Sequence, residues 1–148
     1  MFRGTFFHTL DEKARVAIPR KFRDLLPAGQ GDPRVVVTKS VGGPRTLDVY
    51  PITEWQALEE RIRRMPQFQD RTRTFKRLYL HPAQELVLDA QGRILLPQDL
   101  RSAISLAREA VFTGDLEKFL IWSKEDWQRQ KTADESAGDT ISFDDFGI

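Results

Sequence analysis

The chain contains no cysteine and only two histidines, His8 and His81. Without thiols it can have no disulfide framework, no Cys-ligated zinc site and no thiol nucleophile. The histidines lie far apart and show no metal-ligand spacing. There is no Gly-x-Ser-x-Gly elbow and no P-loop, and Gly29-Gln30-Gly31-Asp32 is too short to cradle a phosphate and reads as a loop. Carboxylates are plentiful but form no recognisable catalytic pair. Neither catalysis, a cofactor, a metal nor a small-molecule substrate is therefore expected. No apolar run approaches the roughly 18 residues of a membrane span, and the first residues lack the apolar segment of a signal peptide. The expectation is a cytoplasmic protein without membrane contact.

Net charge is nearly absent too, at +1 from 23 basic and 22 acidic residues. That balance conceals a polar molecule. Residues 1–77 carry 16 basic and 9 acidic side chains, whereas residues 78–148 carry 7 basic and 13 acidic. A basic first half suits a polyanionic partner, and a basic half facing an acidic half suits head-to-tail self-association.

What the sequence does contain is a duplication. Leu10-Asp11-Glu12-Lys13-Ala14-Arg15-Val16-Ala17-Ile18-Pro19 matches Leu88-Asp89-Ala90-Gln91-Gly92-Arg93-Ile94-Leu95-Leu96-Pro97, and Phe22-Arg23 continues at Leu100-Arg101. Val36-Val37-Thr38 then matches Val111-Phe112-Thr113, and Tyr50 and Trp55 match Trp122 and Trp127. The spacing shrinks along the chain because copy one has longer loops, at Ala28 to Arg34 and Lys39 to Arg45.

Each copy reads as strand, tight turn, strand, short helix, strand pair, helix. In copy one, Thr5–Leu10 and Ala14–Ile18 have the pattern of a hairpin. Pro19 opens a helix with Phe22, Leu25 and Leu26 on one face, which Pro27 stops. Val35–Thr38 and Thr46–Tyr50 form a second strand pair. Thr53 with Gln56, and Ser123 with Asp126, read as helix N-caps, and Tyr50, Trp55, Trp122 and Trp127 read as core. One copy is too small to bury a core alone, so the two are expected to pack together as an interleaved barrel with pseudo-twofold symmetry. The resulting organisation is repeat one over residues 1–65, a basic connecting helix over 66–79, repeat two over 80–131, and an acidic tail over 132–148, expected to be disordered. Ile141, Phe143, Phe146 and Ile148 leave that tail room for docking.

Basic residues concentrate around the first turn: Arg3, Lys13, Arg15, Arg20, Lys21 and Arg23. A hairpin tip bearing Arg and Lys is narrow enough for the major groove, where Arg can donate twice to guanine. Neighbouring Lys and Arg suit phosphate contacts. The matching positions of copy two are Gln91, Arg93, Gln98, Asp99 and Arg101, so copy one is expected to dominate DNA contact. Asp11 and Asp89 suit a structural task, accepting from turn amides or pairing with the Arg four residues on. Arg15 could be such a partner only, and Arg93, with fewer basic neighbours in sequence, more so. The stretch Arg61 to Arg77 reads as a solvated helix face, with DNA backbone contact or an interface with the acidic half as alternatives.

The opening Met1-Phe2-Arg3-Gly4, the run from Leu10 to Pro19 and its second copy around Asp89–Arg93 resemble the MraZ family, over about residues 1–130. These are bacterial transcriptional regulators built from two AbrB-like (SpoVT/AbrB) units. The resemblance implies an α+β double-split β-barrel and ring-like homo-oligomers, commonly octamers. It also implies binding to direct repeats in double-stranded promoter DNA, and nucleoid-associated repression of the division and cell-wall gene cluster, including the protein's own operon. The basic chemistry of the turns, beside the resemblance, makes Arg3, Lys13, Arg15, Arg20, Lys21, Arg23 and Arg93 the expected DNA-binding residues. The pattern departs at Ala14, where Gly is usual, as Gly92 still shows. If the turn needs positive φ there, Ala adds strain of about 1 kcal/mol. Two alternatives share these features: an AbrB-like assembly module without a specific DNA target, and an antitoxin-type relative. The latter normally carries a single unit, so the duplication speaks against it.

Overall fold

A computed structural model describes residues 1–27, 31 and 33–148. Most of the copy-one loop placed between Ala28 and Arg34, with most of the Gly29–Asp32 run, therefore lies outside the described residues. The elements of the first half are β1 (Thr5–Thr9), β2 (Arg15–Ala17), α1 (Arg20–Arg23), β3 (Arg34–Lys39), β4 (Leu47–Pro51), α2 (Ile52–Arg63) and α3 (Asp70–Tyr79). The second half contributes β5 (Gln84–Val87), β6 (Arg93–Leu95), α4 (Gln98–Ala103), β7 (Glu109–Asp115), β8 (Lys118–Ser123) and α5 (Lys124–Ala137).

The strands exchange partners between halves. The large antiparallel sheet has the order β1-β7-β8-β4-β3-β5, which is its own mirror under exchange of the halves, and β2 pairs with β6 in a separate ribbon. Val36 opposite Glu85 repeats Val111 opposite Phe7, so the duplicated register is kept to the residue. Asp48 faces Leu120 and Val16 faces Ile94, each residue meeting its own counterpart at the pseudo-twofold centre. The ribbon bridges the edge strands β1 and β5 and closes a split barrel.

This overturns one expectation. Thr5–Leu10 and Ala14–Ile18 do not form a hairpin: β1 ladders with β7 and β2 with β6. The turn between them is closed by hydrogen bonds, but its arms diverge at once. The reason is burial. Val16, Ile18, Ile94 and Leu96 become inaccessible only by crossing between halves into one core with Phe22, Leu100, Phe112 and Phe119. The second strand pair, β3 with β4, is the hairpin expected.

Two helix starts also differ from expectation. α2 begins at Ile52 behind Pro51, whose φ of −55° fits the cap, so Thr53 lies inside the helix rather than capping it. Ser123 does cap α5, accepting from the Asp126 N–H at 3.2 Å. The connecting helix begins at Asp70 rather than Pro66. The tail expected to be disordered starts inside α5, which runs on to Ala137. Two 3-10 turns follow, the second held by a reciprocal Ser142–Asp145 cap, and every side chain from Thr132 onward is exposed.

Candidate nucleic-acid interface

Two near-identical turns stand at the start of the ribbon. In the first, Asp11 Oδ1 accepts from the N–H groups of Lys13 and Arg15, both at 2.9 Å, and Oδ2 accepts from Arg15 Nε at 2.8 Å. In the second, Asp89 does the same with the N–H groups of Gln91 and Arg93, both at 2.9 Å, and with Arg93 Nε at 2.8 Å. The Arg15 N–H, then the Arg15 guanidinium and the Lys13 N–H, hold the Asp11 carboxyl below the usual carboxylate range. Arg93 and Gln91 do so for Asp89. Both carboxylates thus accept from the amides two and four residues on and from the arginine side chain four residues on.

Ala14 adopts φ 60° and Gly92 φ 74°, so the departure from glycine leaves the turn geometry and the placing of Lys13 and Arg15 intact. The difference has a local cause. A Cβ on Gly92 would stand 2.3 Å from Arg23 Cδ, because Arg23 crosses from α1 to lie on the second turn, its Nη1 donating to the Gln91 carbonyl oxygen at 3.3 Å. Its counterpart Arg101 turns back to the Leu96 carbonyl oxygen at 3.0 Å instead.

The cross-pairing places Arg15, Ala17, Arg93 and Leu95 on the outward side of one two-stranded ribbon, with Val16 and Ile94 inward. The element of groove-entering width is thus this inter-copy ribbon, not a hairpin of copy one. Arg93 is not isolated in space either, since Arg23 lies against its turn and Arg93 Nη1 stands 3.7 Å from Asp11 Oδ2. The two arginines nevertheless differ. Arg93 has partners on Nε, Nη1 and Nη2, the last donating to Gln91 Oε1 at 3.4 Å. Arg15 is held through Nε, and among the described residues its Nη groups have no partner.

Arg20 and Lys21 are exposed on α1, and Lys13 is exposed at the first turn. Arg23 is half-buried, with its Nε enclosed and unpartnered, so the structure uses it internally rather than presenting it as a free surface charge. Arg3 is exposed but lies at the far end of β1 from Asp11, where Phe2 pairs with Leu116. Sequence comparison of the copies missed Arg108. Its carbonyl oxygen accepts from the Leu10 N–H at 2.7 Å, which puts an exposed arginine beside the first turn. Pro33 occupies the matching position of copy one, so the repeat carries no signal for it.

The family model described as "MraZ protein, putative antitoxin-like" matches residues 1–78 and again residues 79–143. The chain belongs to the MraZ family. A protein named Transcriptional regulator MraZ from Natranaerobius thermophilus is 41% identical over 150 residues, covering 100% of both chains. One of the same name from Acidithiobacillus ferrooxidans is 43% identical over 130 residues, covering 86% of this chain and 85% of its own. Another from Clostridium acetobutylicum is 41% identical over 127 residues, covering 86% and 84%. The two MraZ units meet at the last residue of α3, so all of α3 but Tyr79 falls within the first unit, and each unit supplies one strand of the ribbon.

Proposed function

We propose that this chain is a sequence-specific DNA-binding transcriptional repressor, working without catalysis, that lays the β2–β6 ribbon in the major groove. The observation that carries this reading is the pair of half-buried arginines, Arg15 and Arg93, on the outward face of one ribbon, each fixed by an aspartate. A two-stranded ribbon fits the groove, and a fixed guanidinium with both Nη groups available can donate twice to guanine O6 and N7. Arg15 is accordingly the base reader. Arg93 bridges the two turns and keeps the ribbon in shape. Lys13, Arg20, Lys21, Arg3 and Arg108 serve phosphates, which position the ribbon without reading sequence.

In this reading the protein is a homo-oligomeric ring in the cytoplasm, associated with the nucleoid. It binds direct repeats upstream of its own operon in the division and cell-wall gene cluster, because a ring presents several ribbons along one duplex and avidity then demands repeated elements. No helix of the described residues is long and apolar enough to cross a membrane. The test is a gel-shift series on arrayed, single and scrambled elements at several salt concentrations. Arg15→Ala should lose about 1–3 kcal/mol of discrimination and bind all three alike. Lys13→Ala and Lys21→Ala should weaken all sequences by similar factors and flatten the salt dependence. Undiminished discrimination by Arg15→Ala overturns the assignment of the reader. A protein that shifts no DNA even at low salt is an assembly module instead.

A further inference from the structure

The outer face of the sheet is covered unequally in the two halves. Over the first half, α2 and α3 enclose Tyr50 and Trp55, which are 9% and 6% exposed. Tyr79 of α3 stacks between Trp55 and Phe75, and its carbonyl oxygen accepts from the Thr38 hydroxyl at 2.6 Å. The matching residues of the second half are Trp122, Trp127 and Thr113. Trp127 lies on α5 itself, and among the described residues no helix packs over the two tryptophans as α3 does over Tyr50 and Trp55. Both tryptophans are half-buried, and with Thr113 they line an open cavity of about 440 Å³. The Thr113 hydroxyl, having no helix carbonyl to meet, accepts from Trp122 Nε1 at 2.9 Å. Gln130, Lys131, Asp134 and Glu135 of α5 complete the lining, and the Lys131 ammonium stands 5.2 Å from the Trp127 ring centre, so this floor already attracts a cation.

The first half carries a fitting counterpart. Between α2 and α3, Phe68 is 87% exposed, an unusual position for a large aromatic. Arg71 and Arg73 follow it at the start of α3, and the Arg73 guanidinium lies 5.9 Å from the Phe68 ring centre.

We propose that the cavity over Trp122 and Trp127 receives Phe68 and its flanking arginines from a second copy of this chain. The aromatic ring fills the place that α3 aromatics fill in the first half, and Arg71 and Arg73 meet Asp134 and Glu135. The tip and the cavity are different surfaces of one chain, so the contact is heterologous and propagates from copy to copy until the rotation closes. The inference rests on the ring reading above and names its contact. The C-terminal segment also exposes aromatics, Phe143 and Phe146, but its Asp144 and Asp145 would be set against Asp134 and Glu135.

The experiment is light scattering and sedimentation on the full chain at micromolar concentration and low salt. Phe68→Ser, the pair Arg71→Glu with Arg73→Glu, and the pair Asp134→Lys with Glu135→Lys should each reduce the wild-type assembly to monomer. All five side chains are exposed, so far-UV circular dichroism and the thermal midpoint should show each variant folded. Mixing the two charge-reversed proteins in equal amounts restores opposite charges at every contact and should rebuild the wild-type mass. Phe143→Ser with Phe146→Ser should leave that mass unchanged. An assembled wild type whose mass survives Phe68→Ser and both charge reversals overturns this contact and leaves the ring reading standing. Loss of assembly in the tail variant but not in Phe68→Ser overturns it in favour of the C-terminal segment. A wild type that is monomeric throughout overturns the ring reading itself.

Discussion

The two halves of the molecule agree in the ladders and turns of the crossed strands and differ on the outer face of the sheet. Register, turn hydrogen bonds and the inward residues of the ribbon correspond position by position. On the outer sheet face they part. In β8, burial alternates with period two, Phe119 and Ile121 inward and Leu120 and Trp122 outward, as for a sheet with one wet face. In β4 every residue is buried, because α2 and α3 cover the outward side. That extra cover makes room for polarity. Asp48, 7% exposed, accepts from the Tyr79 hydroxyl at 2.6 Å, and the Tyr50 and Tyr79 hydroxyls lie 2.7 Å apart. Its counterpart is the apolar Leu120. Burial pushes the Asp48 carboxyl up and, with the Asp48 bond, pushes the Tyr79 hydroxyl far above its ordinary range. A duplicated chain is thus held alike where each copy completes the other and is free to diverge on its own surface.

The largest expected effect tests the shared part. Phe22 and its counterpart Leu100 are both fully enclosed in the common core, Phe22 within a cluster with Phe2, Phe6 and Phe119. Phe22→Ala should cost about 3–5 kcal/mol and Leu100→Ala about 2–5 kcal/mol. Each should lower one cooperative urea transition for the whole chain. A second transition assignable to one half would break the view of a single intertwined unit.

The outer faces should respond unequally. Tyr79→Phe strips the buried Asp48 carboxylate of its hydroxyl donor and should cost about 1–3 kcal/mol. Trp122→Phe loses a half-exposed bond to Thr113 and should cost about 1 kcal/mol or less. Equal losses in denaturation would show that the cover by α3 carries no special weight.

At the turns the contrast narrows. Gly92→Ala places a Cβ at positive φ and displaces Arg23 from the second turn, costing about 1–2 kcal/mol. Ala14→Gly relieves strain but loosens the unfolded chain, so thermal unfolding should change by less than about 1 kcal/mol.

The smallest effect is the acid response of the Asp11 and Asp89 turns. Their folded carboxyls titrate below the unfolded value, so their contribution is complete above roughly pH 4 and is lost as pH falls through the folded values. In a pH series of melting temperatures, Asp11→Asn with Asp89→Asn should flatten the acid limb. An unchanged limb would mean that the turn bonds add no stability.

The duplication and both aspartate turns were legible because an Asp accepting from the amides two and four residues on leaves a fixed Asp-x-x-x-Arg spacing. The strand positions were legible from alternation, but their partners were not: a period of two says which side of a strand is buried, not which strand lies next to it. Hence the first hairpin was read within a copy and formed between copies. The aromatic set was read as uniform core, yet only Tyr50 and Trp55 are enclosed, since cover by α3 is a tertiary fact that Trp122 and Trp127 do not encode. Arg23 is expected from the sequence to bind DNA, and its place on the second turn is not legible there, because the Gly92 space it fills lies in the other copy. Arg108 was invisible because no repeat position marked it.

Strand exchange also sets a timetable for synthesis. Thr5 pairs with Thr113 and Arg34 with Val87, so the first ladder of β1 must wait for about a hundred further residues. At translation speeds of about 5–20 residues per second that wait lasts roughly 5–20 s. Through it β1, β2 and the apolar Val35-Val36-Val37 run stand on the ribosome without their second-half partners. Unpaired edges of that kind invite pairing with neighbouring nascent chains. The protein is therefore born exposed to its own siblings, and the rate at which its second half is made becomes part of how reliably it folds.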